Sequence, residues 1–198
     1  IPTDASTDFL PTAALLRPHL RGASLISLCS PQNPTGTMFS EASLAGICEM
    51  VLEENERRGP GEKKLFVLFD QMYWMLTYDG HRHIDPVSID PRMRSYTMYV
   101  DAISKVFAAT GLRVGWAFGP APVIAKMNGI LAHVGTWAPM AEQKAVATFL
   151  SGRDDVRNYL DRFRAGLSDL LHGIYEGLQH LKHDGFPVDA LPPHAAIY

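Results

Sequence analysis

The chain has 198 residues, of which 46% are hydrophobic and 20% are charged, and such proportions are typical of a globular domain with a real core. Its formal net charge is -3, so the composition shows no basic surface for nucleic acid or for an anionic membrane. No apolar run approaches the roughly 20 residues needed to cross a bilayer. The two cysteines, Cys29 and Cys48, are too few for a disulfide scaffold and favour buried thiols in a reducing cytoplasm.

The first predicted elements are a helix over residues 11–20 and a buried strand over residues 23–29. A second helix is predicted over residues 41–58, with Ser40 as its N-cap and a Gly-Pro-Gly breaker after it. Short apolar runs then predict three more strands: residues 65–69, 96–100 and 114–118. The first two of these are apolar on both faces, which is typical of parallel strands buried under helices.

Helical patterns dominate the second half of the chain. They cover residues 122–133 and 139–150, and a single amphipathic stripe predicts one long helix over residues 154–181. A proline-rich loop follows over residues 185–193. The alternation of strands and helices predicts an α/β fold: a three-layer, mostly parallel sheet with helices on both faces. In such sheets ligands bind outside the carboxyl ends of the strands.

The ends of the chain also carry information. The sequence starts at Ile1 with neither an initiator methionine nor a signal peptide. It stops at Tyr198, directly after an apolar run that is typical of an entering strand. We therefore expect an internal part of a longer protein.

Unusual polar residues follow three of the predicted strands. Asn33 follows the first, Asp70 and Tyr73 follow the second, and Lys105 and Arg113 follow the third. Taken singly, each has an ordinary explanation, since an Asp or Asn after a strand is most often a turn residue and an isolated Lys or Arg is most often a solvated charge. Their conjunction at successive strand ends favours one shared site.

A lysine and an acid in this arrangement suit pyridoxal phosphate. The aldehyde of this cofactor needs an amine nucleophile, and its ring nitrogen needs a carboxylate partner to remain protonated. Its phenolic oxygen accepts hydrogen bonds from groups such as a phenol or an amide. Its phosphate suits an arginine, which binds it bidentately.

The sequence resembles the fold-type I, pyridoxal-phosphate-dependent aminotransferases of class I and II, the aspartate aminotransferase superfamily. Three segments carry the resemblance in the family's order: Asn33-Pro-Thr-Gly36, the pair Asp70 and Tyr73, and the run Ser104-Lys-Val-Phe-Ala-Ala-Thr-Gly-Leu-Arg-Val-Gly-Trp116. The similarity continues through the long helix to Tyr198, so that it covers essentially the whole chain.

The resemblance implies a role for each of five residues. Lys105 forms the Schiff base with the cofactor and moves the proton between the substrate α-carbon and the cofactor. Asp70 pairs with the pyridinium nitrogen, and Tyr73 and Asn33 hydrogen-bond the phenolic oxygen. Arg113 binds the phosphate.

The resemblance also implies an organisation and an activity. Residues 1–150 would form the C-terminal part of the large cofactor-binding domain, and residues 151–198 the long connecting helix and the start of a small domain. The implied enzyme is a cytoplasmic homodimer that transfers an amino group between a small amino acid and a 2-oxo acid. A cis peptide bond before Pro34 is implied as well.

The chain departs from the family pattern in places. Ala102 stands where many members have a hydroxyl residue, and His194-Ala-Ala-Ile-Tyr198 replaces the usual Gly-Ala-Phe-Tyr. In the family, the phosphate loop and the ring-stacking aromatic residue precede Ile1, and the arginine for the substrate carboxylate follows Tyr198. We therefore expect these 198 residues alone to bind the cofactor weakly or not at all.

Two other functions share the motifs and stay open at this point. One is a carbon–sulfur lyase or cyclopropane-forming synthase of the same fold. The other is the aminotransferase-like, ligand-sensing domain of a transcription regulator. A metal site is not expected, because His81 and His83 lack further ligands at suitable spacing, and we predict that both lie in a solvated loop.

Overall fold

Four strands and seven α-helices make up the chain, which a computed structural model describes over residues 1–198. The strands are β1 (Leu25–Cys29), β2 (Phe66–Asp70), β3 (Thr97–Ala102) and β4 (Gly115–Phe118). The α-helices are α1 (Ala13–Leu16), α2 (Glu41–Arg57), α3 (Pro86–Ile89), α4 (Ile103–Val106), α5 (Ala121–Val134), α6 (Met140–Ser151) and α7 (Arg153–His183).

The strands form one sheet in the order β1-β2-β3-β4. The strands β1, β2 and β3 are parallel, and β4 runs antiparallel to β3. A helix connects each pair of parallel strands: α2 lies between β1 and β2, and α3 lies between β2 and β3. The predicted α/β class and the mostly parallel sheet are confirmed.

The main core lies between the sheet and helix α2. Ser40 begins the helix as predicted, since its hydroxyl accepts a hydrogen bond from the backbone N–H of Ser43 at 3.2 Å. Leu44, Ile47 and Val51 are completely or almost completely buried, and their spacing puts them on one face of the helix. That face packs on the side chains of β1, β2 and β3.

Burial alternates along the strands, whereas the sequence predicts burial on both faces for residues 65–69 and 96–100. In β1, Leu28 is 3% exposed and Leu25 is 49% exposed. The strand β2 shows the same alternation between fully and partly buried residues. The reason is that successive side chains point to opposite faces, and α2 with α3 covers the face that carries Leu28.

The helical second half matches its prediction closely, and α5, α6 and α7 lie within one or two residues of the expected bounds. The short helices α3 and α4 and the 3-10 helix Pro91–Ser95 were not predicted, because four or five residues are too few to show a helical period. None of the helices combines the length and the apolar character that crossing a bilayer requires.

The prediction of a solvated loop is wrong for His83. Both of its ring nitrogens are buried and take no hydrogen bond, and the ring packs beside Phe69 and Trp74. Burial lowers the pKa of His83 to about 4, so the imidazole is neutral at physiological pH. His81 is exposed, and its ring centroid lies 4.2 Å from that of His194.

Candidate active site

The predicted site residues all lie at strand ends, or on segments that adjoin them, at one edge of the sheet. The register places Cys29 opposite Asp70 and Asp70 opposite Val100, so the segments after β1, β2 and β3 leave the sheet side by side. The antiparallel β4 starts at this same edge, since its Gly115 is paired with Ala102. The sheet therefore brings Asn33, Asp70, Tyr73, Lys105 and Arg113 to one edge, as predicted.

Asp70 is the last residue of β2 and is partly buried. Its Oδ1 accepts a hydrogen bond from the backbone N–H of Met72 at 3.0 Å, which fixes the carboxylate at the start of the loop. Its Oδ2 takes no hydrogen bond from the protein. A carboxylate held in this way can accept a hydrogen bond from a cationic ring nitrogen.

Tyr73 is 2% exposed and belongs to a small apolar cluster with Leu76 and Val106. Its hydroxyl lies 2.7 Å from the hydroxyl of Tyr198. Burial raises the pKa of Tyr73 above that of an ordinary phenol. The group is therefore a neutral phenol that can donate a hydrogen bond.

Asn33 lies in an exposed turn directly after β1. The peptide bond between Asn33 and Pro34 is cis, as the resemblance implied, and a second cis bond joins Ser30 and Pro31. The turn is closed by a hydrogen bond from the backbone N–H of Gly36 to the carbonyl oxygen of Gln32 at 3.0 Å. The Asn33 side chain makes no hydrogen bond within the chain, so its amide is available to a ligand.

Lys105 lies on the single turn of α4, directly after β3. Ile103 and Val106 anchor this turn because both are buried, and Val106 packs in the same cluster as Tyr73. The Lys105 side chain is partly buried and has neither a hydrogen bond nor an ion pair. A lysine amine without a carboxylate partner can act as a nucleophile once it is deprotonated.

Arg113 is an exposed residue in the left-handed conformation, with φ of 56°. Its guanidinium donates one hydrogen bond, to the carbonyl oxygen of Thr110 at 2.9 Å, and makes no ion pair with a carboxylate. The remaining N–H groups can therefore bind an anionic ligand bidentately.

Two neighbouring groups serve the structure instead. Asp101 follows Val100, so its side chain points to the opposite face of the sheet from Asp70; it accepts a hydrogen bond from the indole N–H of Trp74 at 2.9 Å. Cys29 lies beside Asp70 in the register. Burial raises the pKa of the Cys29 thiol to about 11, so it remains protonated and is not a competing nucleophile.

Tyr198 is the member of this arrangement that sequence reasoning did not place in the site. It is separated from Tyr73 by 125 positions, and no local pattern connects residues so far apart. The available signal was the ending His194-Ala-Ala-Ile-Tyr198, which is similar to the family's Gly-Ala-Phe-Tyr but was given no role in the site.

The chain also matches a known protein family. The family model described as "Aminotransferase class I and II" matches residues 2–198. The chain belongs to this family. The match covers nearly every residue of the chain, so the resemblance predicted from three short segments is confirmed.

Curated relatives of this aminotransferase-family chain carry related names. The aspartate aminotransferase of Rhizobium meliloti (strain 1021) is 31% identical over 159 residues, which cover 78% of this chain and 36% of the relative. A bifunctional aspartate aminotransferase and glutamate/aspartate-prephenate aminotransferase of Petunia hybrida is 36% identical over 151 residues, covering 76% of this chain and 30% of the relative. The chain thus spans about a third of the length of these two relatives.

Solved structures agree in fold. A Rhizobium meliloti aspartate aminotransferase aligns with a TM-score of 0.82 at 28% identity, covering 99% of this chain and 46% of that one. An aromatic aminotransferase from Pyrococcus horikoshii OT3 aligns with a TM-score of 0.84 at 25% identity, covering 99% of this chain and 48% of that one. The chain therefore has the fold of somewhat less than half of each enzyme.

The residues at the sheet edge fit the cofactor that the family implies. The fit rests on donors and acceptors that the protein itself leaves unused: Oδ2 of Asp70, the Asn33 amide, the Lys105 amine and most N–H groups of Arg113. Neither Lys105 nor Arg113 has a carboxylate partner within the chain, and both lie on segments that adjoin the sheet edge at which Asp70 lies. This set matches the aldehyde, ring nitrogen, phenolic oxygen and phosphate of pyridoxal phosphate.

Proposed function

We propose that the whole protein is a pyridoxal-phosphate-dependent aminotransferase that transfers an amino group between a small amino acid and a 2-oxo acid. The observation that supports the proposal is that Lys105, Asp70 and Tyr73 lie at or directly after strand ends at one edge of the sheet, and that the segments of Asn33 and Arg113 adjoin the same edge. Membership of the aminotransferase family supports it. The names of the curated relatives favour transamination over the lyase, synthase and regulator alternatives.

Each side chain has a chemical task in this proposal. When bound, the cofactor supplies a protonated ring that withdraws electrons from the substrate α-carbon. Asp70 holds the proton on the ring nitrogen, because a carboxylate in contact favours the cationic form. The Lys105 amine would hold the cofactor at its aldehyde carbon and, when free, would move a proton to and from the substrate α-carbon.

The remaining residues bind and orient. Tyr73 and Asn33 donate hydrogen bonds to the phenolic oxygen, and the raised pKa of Tyr73 keeps its hydroxyl protonated for this purpose. Arg113 binds the phosphate through its planar guanidinium. The exposed position of Arg113 suits a group that is fixed by the ligand more than by the protein.

The organisation of the whole protein is part of the same proposal. Residues 1–150 belong to the cofactor-binding domain, and residues 151–198 lead through α7 into a second, smaller domain. The whole protein is a cytoplasmic homodimer, as the family resemblance suggests. Its substrates are small molecules.

Borohydride reduction of the whole protein, followed by peptide mapping, tests the proposal. We expect the pyridoxyl mass on the peptide that contains Lys105, and on none that contains Lys126 or Lys144. Lys105→Ala should abolish the label and lower the transamination rate by at least about 100-fold, the usual contribution of a positioned proton-transfer group. Lys144→Ala, in the exposed part of α6, is the matched control and should leave both unchanged. A label on another lysine would refute the assignment.

A further inference from the structure

The last residues of the chain are fixed against the loop that carries Tyr73. The backbone N–H of Tyr78 donates to the carbonyl oxygen of His194 at 3.0 Å, and that of Ala196 donates to Leu76 at 2.8 Å. The hydroxyl of Tyr78 donates to the carbonyl oxygen of Ala196 at 2.5 Å, and Ala196 is completely buried. Residues 194–198, the closing segment, are therefore held in place against the loop that carries Tyr73.

The Asn33 turn packs on the same segment. Gly36 has φ of 67°, and a methyl group added to it would lie 2.9 Å from the carbonyl oxygen of Ala195 and 3.2 Å from that of Tyr198. Both the backbone conformation and the lack of space require glycine here. Asn33 and Tyr73 are the two residues proposed to donate to the phenolic oxygen. The turn of Asn33 and the loop of Tyr73 therefore both pack against the closing segment.

The closing segment contacts Tyr73 directly through Tyr198. Their hydroxyl oxygens are 2.7 Å apart, and their rings pack edge to face with centroids 5.6 Å apart and an interplanar angle of 68°. Tyr73 is 2% exposed, whereas Tyr198 is 38% exposed. Solvent can therefore satisfy the hydroxyl of Tyr198 more readily than that of Tyr73.

We infer that Tyr198 is a positioning residue whose hydroxyl donates to the Tyr73 oxygen and so directs the single Tyr73 hydrogen to the cofactor's phenolic oxygen. A phenol has one hydrogen to donate. If Tyr73 donated to Tyr198, it would have none left for the cofactor. In the opposite direction the two hydrogen bonds form a chain, in which each bond polarises and strengthens the next.

The inference rests on the proposed function and makes a spectroscopic prediction. A hydrogen bond to the phenolic oxygen stabilises its negative charge and so lowers the pH at which the visible absorption band of the bound cofactor titrates. Tyr73→Phe should raise that midpoint. Tyr198→Phe should raise it as well, by about 0.5 to 1 pH unit, because one net hydrogen bond of ordinary strength corresponds to such a shift.

Tyr78→Phe is the matched control. It removes a phenolic hydroxyl that holds the same segment through Ala196 and makes no hydrogen bond with Tyr73, so a merely structural effect would appear in it too. We expect Tyr78→Phe to lower the melting temperature without moving the spectral midpoint. A midpoint shift in Tyr78→Phe equal to that in Tyr198→Phe would overturn the inference.

A double-mutant cycle on the whole protein completes the test. If Tyr198 acts through Tyr73, then Tyr198→Phe should cause no further shift in a Tyr73→Phe background. Additive shifts, or an unchanged midpoint in Tyr198→Phe alone, would refute the positioning role. A failed proposed function would look different, since no pyridoxyl label would then reach Lys105 in the wild-type protein.

Discussion

The sheet half and the helical half of this chain are held together in different ways. In the sheet half, residues 10–118, the side chains of α2, β1, β2 and β3 form one continuous buried core. In α5, α6 and α7 only Val146 is buried, and the 31-residue α7 contacts the rest through half-buried apolar side chains such as Phe163 and Leu167. Stability should therefore reside in the first half, while the second half depends on what it packs against.

Truncation in the two halves gives the largest contrast. Phe69 is completely buried in β2, so Phe69→Ala should lower the free energy of unfolding by about 3–5 kcal/mol. Ile174 in α7 is 60% exposed, and Ile174→Ala should change it by less than about 0.5 kcal/mol. Urea unfolding followed by circular dichroism measures both. Equal losses would show that the helical half has as much of the core as the sheet half.

Loss of a buried polar contact should show the same contrast between the two halves, with a somewhat smaller loss of unfolding free energy. The buried Asn55 side chain in α2 donates to the carbonyl oxygen of Leu65 at 2.8 Å and accepts from its N–H at 2.7 Å. Asn55→Ala leaves both backbone groups unsatisfied and should cost about 2–4 kcal/mol. Asn128→Ala, at an exposed position of α5, should be nearly neutral in the same unfolding assay.

Acid should weaken the sheet half through Glu54. Hydrogen bonds from Arg57 and Arg58 outweigh burial and lower the pKa of Glu54 to about 2. Because this folded-state pKa lies below the ordinary value of 4.5, the stabilisation is present above pH 4.5 and is lost as the pH falls towards 2. Glu54→Gln should flatten the unfolding free energy over that range. Glu49→Gln, exposed on the same helix, should keep the wild-type slope.

The smallest effect should come from the docking of α7. Nε2 of His172 lies 2.8 Å from Oδ2 of Asp79. The Ser168 carbonyl and then Asp79 raise the pKa of His172 above 6.5. This stabilisation is fully present below pH 6.5 and is lost as the pH rises through the folded-state pKa. Amide hydrogen exchange of α7 should therefore quicken with pH beyond its intrinsic rate, and Asp79→Asn should remove most of the excess. An unchanged excess would show that this contact does not hold the helix.

Elements with a repeating pattern could be predicted from the sequence, and isolated contacts could not. The spacing of Leu44, Ile47 and Val51 was enough to locate α2, and the strand-end rule was enough to bring Lys105 and Asp70 to one edge. The burial of His83 could not be predicted, because nothing local shows that a loop histidine will pack beside Phe69 and Trp74.

The same distinction between repeating patterns and isolated contacts applies to the site. Residues next to a strand end inherit their position from the sheet, so Asp70, Tyr73 and Lys105 could be placed. The pairing of Tyr73 with Tyr198 depends on how the closing segment aligns with residues 76–78. That alignment is set by tertiary contacts, such as the hydrogen bond from Tyr78 to Ala196.

The strand order of the sheet has a practical consequence for handling these 198 residues by themselves. The strands β1 and β4 each pair with one neighbour only, so each offers a row of unpaired backbone N–H and C=O groups to solvent. Leu25 on β1 and Phe118 on β4 are 49% and 46% exposed, which adds apolar surface to both rims. Such rims are templates for intermolecular strand addition. We expect the isolated chain to self-associate as its concentration rises, with residues 25–29 and 115–118 as the segments where growth starts.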